Sequence, residues 1–395
     1  MALTTATAHF ADATRLYQQG NLHRARDVAE QALLSLSFMS VGAELKEACA
    51  STACGASSSP ASSRACPHAD NSMLRRHHQL FGNSLLLLST IYTAAGDYME
   101  AERLLATCEG YWRDHLSNGE GSSAGDRRET TMRGDAVGGR DLDEGLAGVA
   151  YNRAVLQLEQ LRHTSPPTAS RLQERANDPS SVWPSLPPSP ARSSPLRTQD
   201  DERRRQTVAA EVLRKYLYDA KDKLSHTLGS GRSMLADVHH SCGVCHYYLK
   251  DYVAALEAWQ QSMAIRVHGR RCRAGQQGKE IEDGTLSGGV DELKVALTLE
   301  HIAQVYHFIE GKAADALKIY DAVAATRERY LGSAHPLYAR TLFEKAVVAS
   351  GLGHVKLARA LLKACQDICV RSGSECDPEF GREVQRWREY VGTSS

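Results

Sequence analysis

The chain lacks long apolar runs. Its longest leucine run, Leu85–Leu88, falls far short of the ~18–20 apolar residues that cross a bilayer as a helix. An excess of charge of one sign is missing too: 47 basic residues face 47 acidic ones. That removes the electrostatic case for nucleic acid or for an anionic membrane surface. Two catalytic signatures are absent: there is no phosphate loop and no His-Glu-x-x-His helix. Paired carboxylates such as Asp291-Glu292 lie at helix starts, where they complement the dipole. The expectation is a chain that is not an enzyme and carries no cofactor or metal. The ten cysteines are scattered, several at apolar helix positions, and read as reduced thiols packed like small hydrophobes. No acidic residue precedes Phe10, but Asp12, Asp27 and Glu30 follow inside a helical pattern. A cleaved leader there would destroy that pattern. A cytoplasmic protein is therefore expected, with cilium or mitochondrion as the alternatives.

What is present is self-similarity. An apolar helix carries a small residue with a large one three later, then a Gly-containing turn, then Ala with a large apolar residue four later. The clearest copy has Leu85, Leu88, Ser89 and Tyr92, then Gly96-Asp97, then Tyr98, Ala101, Leu105 and Cys108. The first copy has His9, Ala13 and Leu16, Gly20-Asn21, then Leu22, Ala25, Ala29 and Ala32. Gly243, His246, Tyr252, Ala255 and Trp259 fill the frame further on. Ile302, Ala303, Tyr306, Gly311, Ala316, Tyr320 and Val323 fill it again, with a turn one residue longer. The last full copy has Leu342, Ala346, Ala349, Gly353, Val355, Ala358, Leu362 and Cys365. A further copy is split. Its first helix holds Asn152 and Ala154, and its second holds Ala210, Leu213 and Leu217. After Asp377-Pro378, a helix with Val384, Trp387 and Tyr390 reads as a terminal cap.

This is the tetratricopeptide pattern, helix–turn–helix with a period of about 34 residues. The predicted fold is all-α: a right-handed solenoid of about six repeats plus a C-terminal capping helix, with disordered insertions. Repeats are placed at residues 1–40, 77–116, 146–163 with 205–230, 231–268, 291–332 and 333–374, and the cap with its tail at 375–395. Residues 41–76, 117–145, 164–204 and 269–290 have no apolar periodicity and read as disordered insertions. The third of these, with Pro195 just beyond Ser194, accounts for eight of the twelve prolines. Within it, Pro187-Pro188-Ser-Pro190-Ala-Arg192 fits a polyproline ligand loosely, and Ser165, Ser189 and Ser194 each precede proline. An unselected linker is the plainer reading of that segment.

Among tetratricopeptide proteins the chain most resembles the kinesin light chain type. The phrase that carries this runs from Arg327 through Tyr330, Leu331-Gly332 and His335-Pro336 to Leu342. Leu331-Gly332 and His335-Pro336 match the connection that light-chain repeats place before a first helix, and Leu228-Gly229 is a weaker echo. Two departures set limits. Light chains carry a heptad region before their repeats, whereas this chain begins directly with one. Their first helices often present Asn, and only Asn152 stands in a comparable place here. The resemblance implies the fold more than a motor-adaptor role. Chaperone-binding repeat domains resemble one another in a basic clamp, whose positions here hold Phe10, Thr14 and Leu87, so no such clamp is expected.

The expected function is to hold a protein or peptide partner in the groove lined by the first helices. Candidate groove residues are Phe10, Thr14, Asn152, His240, Glu300, Gln304, Arg340 and Phe343. Their mixed chemistry predicts a partner neither strongly acidic nor strongly basic. An organelle assembly factor of the same fold is the alternative. A metal or redox role for His239-His240-Ser-Cys242-Gly-Val-Cys245-His246 is a third reading. It competes with packing, because Gly243 and His246 fill frame positions and no second pair of ligands is evident. Cys365 and Cys369 share one helix face, and Cys365 fills a core position. Cys49, Cys54, Cys66 and His68 follow no regular ligand spacing.

Overall fold

The computed structural model describes residues 2–18, 21–37, 67–117, 135–164, 195–225, 230–276, 287–309, 311–372 and 378–393, and among them there is no strand. The chain divides into two units, Met1–Glu159 with Lys215–Gly231, and Gln160–Arg214 with Arg232–Ser395.

The first unit contains α1 (Ala2–Gln18), α2 (Leu22–Ser37), α3 (Pro67–Ala95), α4 (Tyr98–Ser117) and most of α5 (Asp135–Thr164). Consecutive helices pack, α1 on α2, α2 on α3 and α3 on α4. Their shared core joins Ala13, Ala25 and Ala29 to Leu85, Leu88, Ile91, Leu105 and Trp112, and these to Val149 and Leu156 of α5. The second unit holds α8 (Ser230–Tyr248), α9 (Tyr252–Gln276), α10 (Ser287–Phe308), α11 (Ala313–Leu331), α12 (Pro336–Gly351), α13 (Val355–Ser372) and α14 (Pro378–Thr393). Helix α9 packs on α10, α10 on α11, and so on to α13 on α14. Between these groups in sequence lie α6 (Pro195–Val212), a π-turn (Leu213–Leu217) and α7 (Tyr218–Leu224).

One register governs the pairs. On three second helices a small side chain donates to a carbonyl 26 residues earlier on the first helix: Cys108 Sγ to Gly82 at 3.6 Å, Ser262 Oγ to Ala236 at 2.7 Å and Cys365 Sγ to Ala339 at 3.3 Å. The spacing works because both partners are small and the helices touch there. The apolar stripe explains which face goes inward. On α13, Ala358, Leu362, Cys365 and Ile368 recur at helical spacing and are the buried residues.

The turns between paired helices need one residue at positive φ. Gly96 (83°), Gly311 (76°) and Gly353 (77°) supply it, but in the α8–α9 turn the residue is Lys250, at φ 63°. A side chain in that region costs roughly 1–2 kcal/mol, partly offset by the lower unfolded-state entropy of a non-glycine residue. Lys250→Gly is therefore expected to raise stability by about 0.5–1 kcal/mol in urea unfolding. The ion pair it removes, Lys250 Nζ to Glu202 Oε1 at 3.4 Å, is exposed on the lysine side and contributes little. A destabilised variant would show that the turn is not strained.

The light-chain-like connection is built as its residues dictate. Helix α11 stops at Leu331, and Gly332 takes φ 89° and ψ 159°. His335 then caps α12: its ring accepts from the Leu337 amide at 3.1 Å, with Pro336 in the first turn where no amide proton is needed. The cap predicted after Pro378 is α14. It buries Phe380, Val384, Trp387 and Val391 on α12 and α13, worth about 1.5–3 kcal/mol for each large side chain. Arg359 of α13 donates to the Val391 carbonyl (3.0 Å) and the Gly392 carbonyl (3.2 Å) at the end of α14.

Two sequence expectations shift. The stripe on α6 uses Ala209, fully buried, and leaves Ala210 exposed. A π-turn takes one residue more than an α-turn, so the stripe before it runs out of step with Leu213 and Leu217. Described helices also run into the expected insertions: α3 from Pro67, α5 from Asp135, α6 from Pro195, α9 to Gln276 and α10 from Ser287. Residues 41–66, 118–134, 165–194 and 277–286 lie outside the described residues. So do Cys49, Cys54 and Cys66, the polyproline phrase and its three serines.

Candidate functional site

The candidate groove residues fall in both units. In the first, Phe10 is half-buried, and the Thr14 hydroxyl donates to the Phe10 carbonyl at 2.8 Å. Asn152 works as a clamp: its Nδ2 donates to the Leu86 carbonyl (3.1 Å), Ser89 Oγ (3.2 Å) and Thr90 Oγ1 (3.2 Å), holding α5 against α3. Beside it Arg153 spans Glu102 (3.0 Å) and Glu109 (2.5 Å) of α4. Asn152 is thus committed to the joint between repeats.

In the second unit, Phe343 is only 2% exposed and meets Phe380 (5.5 Å) and Trp387 (6.2 Å) edge-on beneath the cap. It belongs to the core, because α14 folds back over that face of α12. Glu300 is buried as well. Its carboxylate receives both terminal nitrogens of Arg327, at 2.6 and 2.8 Å, and the same guanidinium donates to Thr341 Oγ1 (2.5 Å) and the Leu337 carbonyl (3.2 Å). That places Glu300 in a buried ion pair joining α10, α11 and α12, where no partner segment reaches it. His240 bonds Thr298 Oγ1 through Nδ1 at 3.0 Å, and its ring meets His301 edge-on at 5.1 Å. Gln304 is half-buried, and Arg340 is exposed with its guanidinium 5.2 Å over the Phe380 ring.

Equivalent positions of α10 and α12 are offset by 43 residues, as Ala303 and Ala346 show. Lys294 then matches Leu337, and Leu297 matches Arg340. Both leucines are exposed, at 37% and 43%. Each of the two helices thus carries one leucine and one cation, in swapped order, the α10 cation being half-buried and paired with Asp237. Sequence reading found Arg340 of this set and missed the other three. The signal was there: the two pairs fall at i and i+3, one turn before the core frame.

The histidine–cysteine phrase lies within α8. Cys242 and Cys245 are buried, and Gly243 lies beneath the Trp259 indole, whose Nε1 donates to the His240 carbonyl at 3.1 Å. Among the described residues no group of three or more His, Cys, Asp or Glu is placed to hold a metal ion. Burial pushes the Cys108 thiol up to about 12 and raises that of Cys245 too, so both stay protonated and weakly nucleophilic at neutral pH. Alkylation at pH 8 followed by peptide mass spectrometry is expected to spare Cys108 and Cys245 in the folded chain and to label both in denaturant. Equal labelling rates in the two conditions would mean that these thiols are accessible.

Residues 294–369 match the family model described as Tetratricopeptide repeat. No curated protein matches the chain. Among solved structures it is similar to the nearly identical TPR-like repeats of a Podosopora anserina protein described as a kinesin light chain (13% identity, 75% of this chain and 97% of that one, TM-score 0.35). It is also similar to Nro1, described as a hypoxic regulator of sterol synthesis and a nuclear import adaptor (10% identity, 100% and 93% covered, TM-score 0.41). A circular tandem repeat protein is a third (12% identity, 98% and 88% covered, TM-score 0.23). These likenesses are too loose to carry a function. The family match places tetratricopeptide repeats at residues 294–369, and the paired helices, the 26-residue register and the positive-φ turns show the same construction in other helix pairs of the chain.

Proposed function

We propose that the protein is a non-catalytic scaffold or adaptor that holds a segment of a protein partner on the first helices of its C-terminal repeats. The observation that carries this is the exposure of Leu297 on α10 and of Leu337 and Arg340 on α12, with half-buried Lys294, paired to Asp237, beside Leu297. Exposed leucine is not needed to fold these helices, whose cores are complete without it. A leucine beside a cation, repeated on neighbouring helices, suits a segment with apolar and polar faces. Repeat surfaces of this kind bind through rigid, pre-formed side-chain arrays at little ordering cost.

The test is affinity capture from the native cell with three versions of the full chain. Wild type is expected to bring down a small, reproducible set of proteins. Leu297→Ser with Arg340→Glu is expected to lose that set, while Lys356→Glu, on an exposed position of the second helix α13, keeps it. Capture that survives the first variant would move the docking surface elsewhere. Wild type arriving alone would end the adaptor reading.

A further inference from the structure

The second unit contains two joints of the same construction with unequal bonding. Repeat α8–α9 meets α10, and repeat α10–α11 meets α12. Ala236, His240 and Gly243 of α8 match Ala296, Glu300 and Ala303 of α10, each 60 residues on. Arg266 of α9 matches Arg327 of α11, because the α10–α11 turn is one residue longer. Lys294 and Thr298 match Leu337 and Thr341. At the later joint both terminal nitrogens of Arg327 are bonded, to Glu300, Thr341 and the Leu337 carbonyl. Thr341 Oγ1 donates to the Leu337 carbonyl at 3.0 Å, so its lone pairs are left for the guanidinium.

At the earlier joint the threonine is set identically: Thr298 Oγ1 donates to the Lys294 carbonyl at 2.9 Å. Yet its lone pairs are taken by His240, standing where the other joint has Glu300. Because the threonine proton is already committed, the proton of that 3.0 Å bond sits on His240 Nδ1. Arg266 turns instead to Asp237, one helical turn earlier on α8, which it must share with Lys294 (2.7 Å). Its Nε and Nη1 are buried with no hydrogen-bond partner among the described residues. A buried donor without an acceptor forfeits the whole of its lost hydration.

We infer that the α8–α9/α10 joint is a compliant point built into the second unit, made so by His240 in place of a carboxylate, and that Arg266 contributes little to closing it. Local opening draws on the least satisfied interfaces. This joint borders the part of α10 that carries Lys294 and Leu297. The inference stands on the bonding pattern alone and does not depend on the proposed function.

Amide hydrogen exchange on the full chain tests it with three single substitutions. Arg327→Met is expected to speed exchange in α10–α12 by more than a hundredfold, since it strands Glu300. Arg266→Met, the same change at the equivalent place, is expected to alter exchange in α8–α10 less than threefold, because Asp237 keeps Lys294. His240→Glu supplies the missing carboxylate and is expected to slow exchange in α8–α10 by tenfold or more. Arg266→Met as damaging as Arg327→Met overturns the inference, as does a folded His240→Glu variant with unchanged or faster exchange. Should His240→Glu fail to fold, the arginine comparison decides alone.

Discussion

Arg327→Met lowers the stability of the C-terminal repeats by about 3–5 kcal/mol, the usual loss when one member of a buried ion pair is removed. The side chains of Arg327 and Glu300 are 4% and 12% exposed, so neither charge can recover its hydration in place. The guanidinium also satisfies the Leu337 carbonyl and the Thr341 hydroxyl, at the start of α12. Removing it leaves the carboxylate without its donors and the Thr341 oxygen without the one it accepts from, while the Leu337 carbonyl keeps the Thr341 hydroxyl. Methionine keeps the aliphatic packing of the arginine stem, so the loss reports on bonding more than on volume. Urea unfolding monitored by circular dichroism would measure it. A loss under about 1 kcal/mol would mean that water reaches Glu300 in the variant. Glu300→Gln combined with Arg327→Met is expected to cost less than the two single changes summed, because the second change removes the stranded charge.

This pair shows what a sequence does and does not disclose. The Arg327–Leu342 phrase was legible as a connection, because Gly332, His335 and Pro336 each have a local reason to be there. What Arg327 itself holds was not legible. Its partner lies 27 residues back, on a helix position that carries His240 in one repeat, Glu300 in the next and Phe343 in the last. The repeat frame says where that position is, but the helix packed against it decides its use. Phe343 read as groove because nothing in its own repeat covers it; the cover is α14, a separate element that folds back. Asn152 was legible as unusual, and its role as a clamp between α3 and α5 needed the structure. The early starts of α3 and α6 had a signal that went unused: Pro67 and Pro195 open them, as Pro378 opens the cap. Their first turns are too polar to show periodicity. The paired helices themselves were legible because small residues must recur wherever two helices touch.

The same closeness leaves Gly243, like Gly82 beneath Trp112, no room for a methyl group. Alanine is worth up to about 1 kcal/mol more than glycine inside a helix, so propensity alone predicts that Gly243→Ala stabilises. The contact decides otherwise. A Cβ at residue 243 would lie 2.3 Å from Nε1 of Trp259 and 2.5 Å from its Cδ1. The indole cannot retreat: Trp259 is fully buried, its Nε1 is bonded to the His240 carbonyl, and Tyr247 and His301 flank its ring at 6.3 and 5.3 Å. Overpacking of this kind costs about 1–3 kcal/mol or more, which outweighs the helix gain. Trp259→Ala should cost about 3–5 kcal/mol, chiefly through the cavity. The decisive measurement is the double variant in urea unfolding. If the clash with the indole is the reason for glycine here, Gly243→Ala becomes neutral or stabilising once Trp259 is alanine, reversing its sign. A penalty that persists in the Trp259→Ala background would place the constraint in the backbone of α8, and the fit of indole on glycine would then not be what selects this residue.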